Sequence, residues 1–108
     1  MGAWILIIAA GLLEVMMALS LKESQGFSRL WWSVSFVFFA IASFSLLSLG
    51  LKTLPVGSAY AVWTGIGAAG TAIVGMAILG ESRDLVRLLA IALIVSGVVL
   101  LQLTGGGH

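Results

Sequence analysis

The sequence predicts an all-α membrane protein built from four transmembrane helices, and three observations carry that expectation. Of 108 residues, 61% are hydrophobic and only 8% charged. The mean hydropathy of +1.22 lies far above that of soluble domains. Five Lys and Arg and four Asp and Glu would leave a water-soluble domain of this size without a polar coat, so the bilayer must be the solvent. Charges and helix breakers then cut the chain into apolar stretches at 4–21, 32–51, 59–79 and 85–103, read together as one domain over 1–108. Each stretch is about 18 to 21 residues long, enough to cross about 30 Å of hydrocarbon.

The first stretch, 4–21, could be taken for a secretory signal, but it lacks a basic leader and contains Glu14. Position 6 is Leu, which also fails the myristoylation pattern. A carboxylate at mid-membrane costs about 2.5 to 3.5 kcal/mol on insertion scales. Apart from Arg87, at the very start of the fourth stretch, no Lys or Arg lies within any span, so at mid-depth its partner must be a proton, a ligand cation or water. Desolvation favours the neutral acid, which makes Glu14 a proton acceptor that an organic cation can displace. The alternative is a protonated Glu that only glues helices together. Ala10, Gly11, Met17 and Ala18 share its face at helical spacing. That face is small and open apart from Met17, and it suits a neighbouring helix as well as a ligand.

The turn Lys22-Glu23-Ser24-Gln25-Gly26 leads to the second stretch, 32–51, where Arg29, Trp31 and Trp32 stand, like Trp4, at positions for interfacial anchors. Ser43 sits at mid-depth among Phe36, Phe38, Phe39 and Phe44, and its hydroxyl is expected to bond either the carbonyl four residues back or a ligand. Next comes Lys52-Thr53-Leu54-Pro55-Val56-Gly57, in which Pro55 biases Leu54 away from helix and Gly57 is free to take positive φ.

The third stretch, 59–79, places Tyr60, Trp63 and Gly67 on one face. A phenol can hydrogen-bond a carboxylate, and aromatic faces attract cations by about 0.5 to 2 kcal/mol. Ordinary packing explains the same i, i+3 pair equally well. Gly65, Gly67 and Gly70 weaken this helix in its middle, which fits either a hinge or close packing. After Gly80-Glu81-Ser82-Arg83-Asp84, the fourth stretch mixes small and branched residues in Ala92-Leu93-Ile94-Val95-Ser96-Gly97-Val98-Val99, the composition of an association surface. The tail Gly105-Gly106-Gly107-His108 reads as frayed.

No cysteine is present, which excludes disulfides and thiolate chemistry. No basic cluster suits nucleic acid, and no nucleophile, metal set or cofactor loop suggests an enzyme. Lys22, Arg29, Arg83 and Arg87 flank the first and third turns while only Lys52 lies in the second, a weak bias toward an external N-terminus that leaves both orientations open. Four helices are too few to enclose a path for an organic cation, so a dimer is implied. Two copies of Glu14 would share a cavity and titrate as a pair. One cation or up to two protons could then occupy the pair, which couples export to inward proton flow.

Across nearly its whole length the chain resembles the small multidrug resistance family. The matching segments are Leu13-Glu14-Val15, Leu21-Lys22, Gly26-Phe27-Ser28-Arg29-Leu30, Leu54 through Trp63, and Leu93-Ile94 through Gly97-Val98. The resemblance implies a proton-coupled antiporter of the bacterial inner membrane, working as an antiparallel, dual-topology homodimer. It implies Glu14 as the site of substrate and proton, Met17, Ser43, Tyr60 and Trp63 around the cavity, and Leu93, Ile94, Gly97 and Val98 at the dimer contact. No cofactor is implied. The runs Lys52-Thr53-Leu54-Pro55 and Trp63-Thr64-Gly65-Ile66-Gly67-Ala68 are similar to the guanidinium-exporter branch. Two positions depart from it, Met17 where that branch carries Trp and Gln102 where it carries Lys. Guanidinium and guanidino compounds are therefore the first expectation, with quaternary ammonium ions as the alternative; one half of a heterodimer is a further one, suggested by the loop charge bias.

Overall fold

A computed structural model describes residues 2–105 as four α-helices: α1 Gly2–Glu23, α2 Leu30–Gly50, α3 Val56–Ile78 and α4 Leu85–Gly105. The expected tail at Gly106, Gly107 and His108 lies outside the described residues. All four helices have the length and hydropathy to cross a membrane. They run somewhat longer than the apolar stretches. Trp31 and Trp32 fall inside the first turn of α2, exposed, rather than ahead of it.

The turns differ from expectation in an instructive way. Gly57 does not take positive φ; it lies in the first turn of α3, directly after Pro55, whose φ of −59° and ψ of 135° start the helix. That turn closes instead through the Gly50 carbonyl, which accepts the amides of Thr53 and Leu54, each at 3.3 Å. Positive φ appears in the other two turns. Gln25, Gly26 and Phe27 form a left-handed stretch at 48°, 72° and 65°, a conformation that costs L-residues about 1 to 2 kcal/mol each. Ser24 holds it: its buried hydroxyl donates to the Leu21 carbonyl at 2.7 Å and accepts the Phe27 amide at 3.1 Å. Phe27 also packs edge-on against Phe36, ring centres 5.5 Å apart. In the third turn Gly80, at 72°, lets the Glu81 amide return to the Gly75 carbonyl at 3.1 Å.

Helix α1 lies between α2 and α3, and α3 in turn carries α4, which packs chiefly against it. The result is a slab measuring 43 × 34 × 17 Å rather than a closed bundle. Its buried core of Ile7, Ala10, Leu47, Ala59, Val62 and Trp63 belongs to the N-terminal halves of α1 and α3 and the C-terminal end of α2. The packing is therefore tight at the end that holds the second turn. Toward the other end an open apolar groove of about 610 Å³ runs along α1 and α3, lined by residues including Leu13, Met16, Gly70 and Val74. Glu14 sits where one regime gives way to the other.

Candidate functional site

The site is built on the seam between α1 and α3. Residues 11, 14 and 15 of α1 face residues 66, 67 and 70 of α3, and each small residue is filled by a side chain from across the seam. A Cβ on Gly11 would meet Ile66 at 2.7 Å, and one on Gly70 would meet Val15 at 2.6 Å. The glycines thus serve close packing, and α3 runs unbroken from Val56 to Ile78. At Gly67 the filling group is polar. The Glu14 carboxyl lies against the bare backbone there, so that a Cβ would overlap it. Oxygen Oε1 is fully buried and has no hydrogen-bond partner.

One turn away, three helices are tied by a relay of hydrogen bonds. The Trp63 indole donates through Nε1 to Ser43 Oγ at 2.9 Å, and Ser43 Oγ donates to the Ala10 carbonyl at 2.7 Å. Both lengths are those of good hydrogen bonds. In a helix the Ala10 carbonyl also accepts the amide of Glu14, so the relay ends on the same carbonyl oxygen that the acid's own amide bonds. Ser43 and Ala10 are completely buried, and Trp63 is 4% exposed. The hydroxyl thus reaches a second helix, rather than the carbonyl four residues back, and fixes the indole. Trp63 also lies 5.2 Å, centre to centre, from both Phe44 and Tyr60. Its donor is used by Ser43, so any contact it makes with a ligand must be through the ring.

Tyr60 is 51% exposed, and among the described residues no hydrogen bond joins it to Glu14. Met17 is half-buried, one turn beyond the acid on α1. The structure therefore sets Glu14 against Gly67 and, one turn away, joins Ser43 to Trp63 with Tyr60 against the Trp63 ring; Met17 lies one turn beyond the acid on α1. Gly65 belongs to a different contact: Val98 of α4 fills it, with Ile94 beside it. Of the four residues expected at a dimer contact, Ile94 and Val98 are thus turned toward α3 of their own chain. Leu93 is exposed, and a Cβ on Gly97 would meet nothing within 4 Å. Phe44, against the Trp63 ring, was not singled out by sequence reasoning; its place one residue after Ser43 was the available signal.

Charge elsewhere is confined to helix ends. Arg83 donates twice to the Met76 carbonyl in the last turn of α3, at 2.9 and 3.3 Å, and Arg87 pairs with Glu81 at 2.6 Å. Asp84 caps α4 by accepting the Arg87 amide at 2.9 Å, and that bond, aided by the Ser82 hydroxyl, holds its carboxyl below the usual range. No group of three or more His, Cys, Asp and Glu that could hold a metal occurs among the described residues. Among the described residues, Glu14 is the one acid or base that stands in the middle of a helix rather than near its end.

The model of the family described as Small Multidrug Resistance protein matches residues 2–94. The chain is 54% identical over 101 residues to the Guanidinium exporter of Yersinia pestis, covering 94% of this chain and 97% of that one. It is 54% identical over 102 residues to the Guanidinium exporter of Escherichia coli strain K12 and 52% identical over 102 residues to that of Salmonella typhimurium, with the same coverage.

Proposed function

The chain belongs to the small multidrug resistance family, and from that premise we propose that it is a proton-coupled antiporter exporting guanidinium and guanidino compounds. It is a multi-pass protein of the bacterial inner membrane. The observation that carries the reading is the lone mid-membrane carboxyl in the α1–α3 seam, in a chain more than half identical to guanidinium exporters.

Glu14 binds the proton and the cation in turn. Guanidinium is a planar cation with a fork of N–H donors, matched to a carboxylate. Trp63 and Tyr60 offer aromatic faces beside it, and Ser43 holds the first of these rings in place. Because either ligand discharges the same acid, inward proton flow drives outward movement of the cation, provided that the empty charged site rarely changes sides. Met17 completes one wall with a soft, adaptable side chain.

The working unit in this reading is an antiparallel homodimer. The flat slab and the open α1–α3 groove leave the Glu14 region without the enclosure that a transported ion needs. A second copy supplies it. Leu93 and Gly97, turned away from α3, are the α4 positions available to that partner, with Ile94 and Val98 backing them from inside.

The test is electrogenic transport in proteoliposomes, with a panel from guanidinium to benzalkonium, for wild type and Glu14→Gln. A guanidinium current abolished by the substitution is the expected result. If guanidinium gives no Glu14-dependent signal while bulky ammonium ions do, the guanidinium reading falls. Full activity in Glu14→Gln would instead reduce the acid to helix glue.

A further inference from the structure

We propose that Gly67 is a positioning residue for Glu14: the notch left by its missing side chain is the seat of the protonated carboxyl, and guanidinium draws the carboxyl out of it. This rests on the reading of Glu14 as the shared site of proton and cation.

Four observations lead there. A Cβ on residue 67 would overlap the Glu14 carboxyl and lie 2.9 Å from its Cγ, so no side chain can share this position with the acid. The carboxyl oxygen that enters the notch is buried and unpartnered. A charged oxygen left so is far more costly than one of a neutral acid, so the notch suits the proton-loaded form. The neighbouring notches at Gly11, Gly65 and Gly70 are filled by Ile66, Val98 and Val15, all hydrocarbon. On α3 only Gly67 and Gly75 receive a polar group; at Gly75 it is the Glu81 carboxylate of the third turn, which Arg87 pairs, whereas the group at Gly67 has no such partner. Finally, nothing charged stands opposite to hold a carboxylate in place. On the two helices packed against α1, the only titratable side chain of α3 is Tyr60, and α2 has none from Leu30 to Gly50.

A guanidinium fork engages both carboxyl oxygens at once. With Oε1 sealed against the backbone of α3, that contact requires the carboxyl to swing out of the seam. Proton loading and cation loading then correspond to two side-chain positions, in and out of the notch. Exchange between them needs no movement of the helix itself.

Gly67→Ala removes the inner position, and Gly70→Ala makes the same change one turn away against Val15. Guanidinium binding to the purified dimer in detergent is measured at mildly acidic and mildly alkaline pH, together with turnover in proteoliposomes. At acidic pH, Gly67→Ala is expected to bind guanidinium at least about threefold more tightly, because the competing position is gone. Its turnover falls by about tenfold, because the proton-loaded carboxyl has no seat. Gly70→Ala shows no such split, and Val15→Ala relieves any loss it causes. The inference is overturned if Gly67→Ala weakens binding at both pH values in proportion to its turnover.

If Gly67→Ala does not yield a folded dimer, Glu14→Asp decides. It draws the carboxyl back by one methylene, about 1.5 Å, and clears the added methyl. Recovery of the dimer by Glu14→Asp but not by Val15→Ala supports the notch, and recovery by neither, or equally by both, overturns it. A wild type with no guanidinium binding that Glu14→Gln removes would defeat the functional reading, and the inference with it. Wild-type binding without the split would defeat the inference alone.

Discussion

At the scale of single residues, Ser43 connects packing to chemistry. Its hydroxyl satisfies a buried indole and bonds a carbonyl on a third helix. Interhelical hydrogen bonds in membranes average about 0.6 kcal/mol, and a buried donor left unpaired costs about 1 to 3 kcal/mol. Ser43→Ala should therefore lower stability in detergent by only about 1 kcal/mol. Transport should fall further than that, because the Trp63 ring is released beside the acid. Thermal unfolding and guanidinium flux, measured on one preparation, check the pair; parallel losses would make Ser43 a packing residue only. The acid and the aromatic face were legible in the sequence, since charge in a span and i, i+3 aromatics are local facts. The partner of Ser43 was not. A hydroxyl chooses between its own helix and a neighbour according to an interhelical distance that no local pattern encodes.

Among the elements, α4 is held chiefly by α3, and two contacts compete to explain its register. The Arg87–Glu81 pair is partly exposed, and such pairs contribute about 0 to 1 kcal/mol. Val98 seated in Gly65 is a steric fit, and overfilling such a site costs about 1 to 3 kcal/mol. The steric fit should dominate. Gly65→Val is expected to loosen the α3–α4 pair, lowering the midpoint of thermal unfolding in detergent, while Glu81→Gln changes it little; the reverse order would assign the register to the ion pair.

The start of α4 is sensitive to pH through its cap. Bonding to the Arg87 amide holds the Asp84 carboxyl below its ordinary range. Its stabilisation is accordingly complete above the ordinary carboxylate range and is lost as pH falls through the lowered value. Hydrogen exchange at the Arg87 and Leu88 amides should quicken in that acid window in the wild type and show no such step in Asp84→Ala. Helix existence was legible here, because length and hydropathy suffice. Which face meets which neighbour was not, since a membrane helix is apolar all round and its periodicity carries little information. The left-handed Phe27 likewise escaped, because Phe is not a residue that announces positive φ.

For the whole molecule, the distribution of loop charge governs how the slab enters the bilayer. Lys22, Arg29, Arg83 and Arg87 lie at one end of the helices and Lys52 at the other. An antiparallel dimer needs both orientations in one membrane, and Lys52 is the loop cation that opposes the rest. Lys52→Ser should therefore bias insertion toward one orientation, as read by reporters fused to the C-terminus, and transport should decline with the minority orientation. Undiminished transport from a uniformly oriented population would count against antiparallel pairing. Gly97→Cys should cross-link chain to chain under mild oxidation if α4 meets its copy there, with no other cysteine to confuse the product. A partner is an expectation drawn from the helix count. The α4 face left free for it became visible only once Val98 was seen to be used within the chain.

The relay through Ser43 also gives the protein its own optical probe. Trp31 and Trp32 are exposed at the start of α2 and Trp4 is only half-buried, whereas Trp63 is enclosed and bonded through its ring nitrogen. With the other three replaced by Phe, the remaining emission would come from an indole whose colour depends on that single bond. A ligand that turns the ring or pulls Ser43 away would change the wavelength of the light, so occupancy could be followed in real time without attaching a dye.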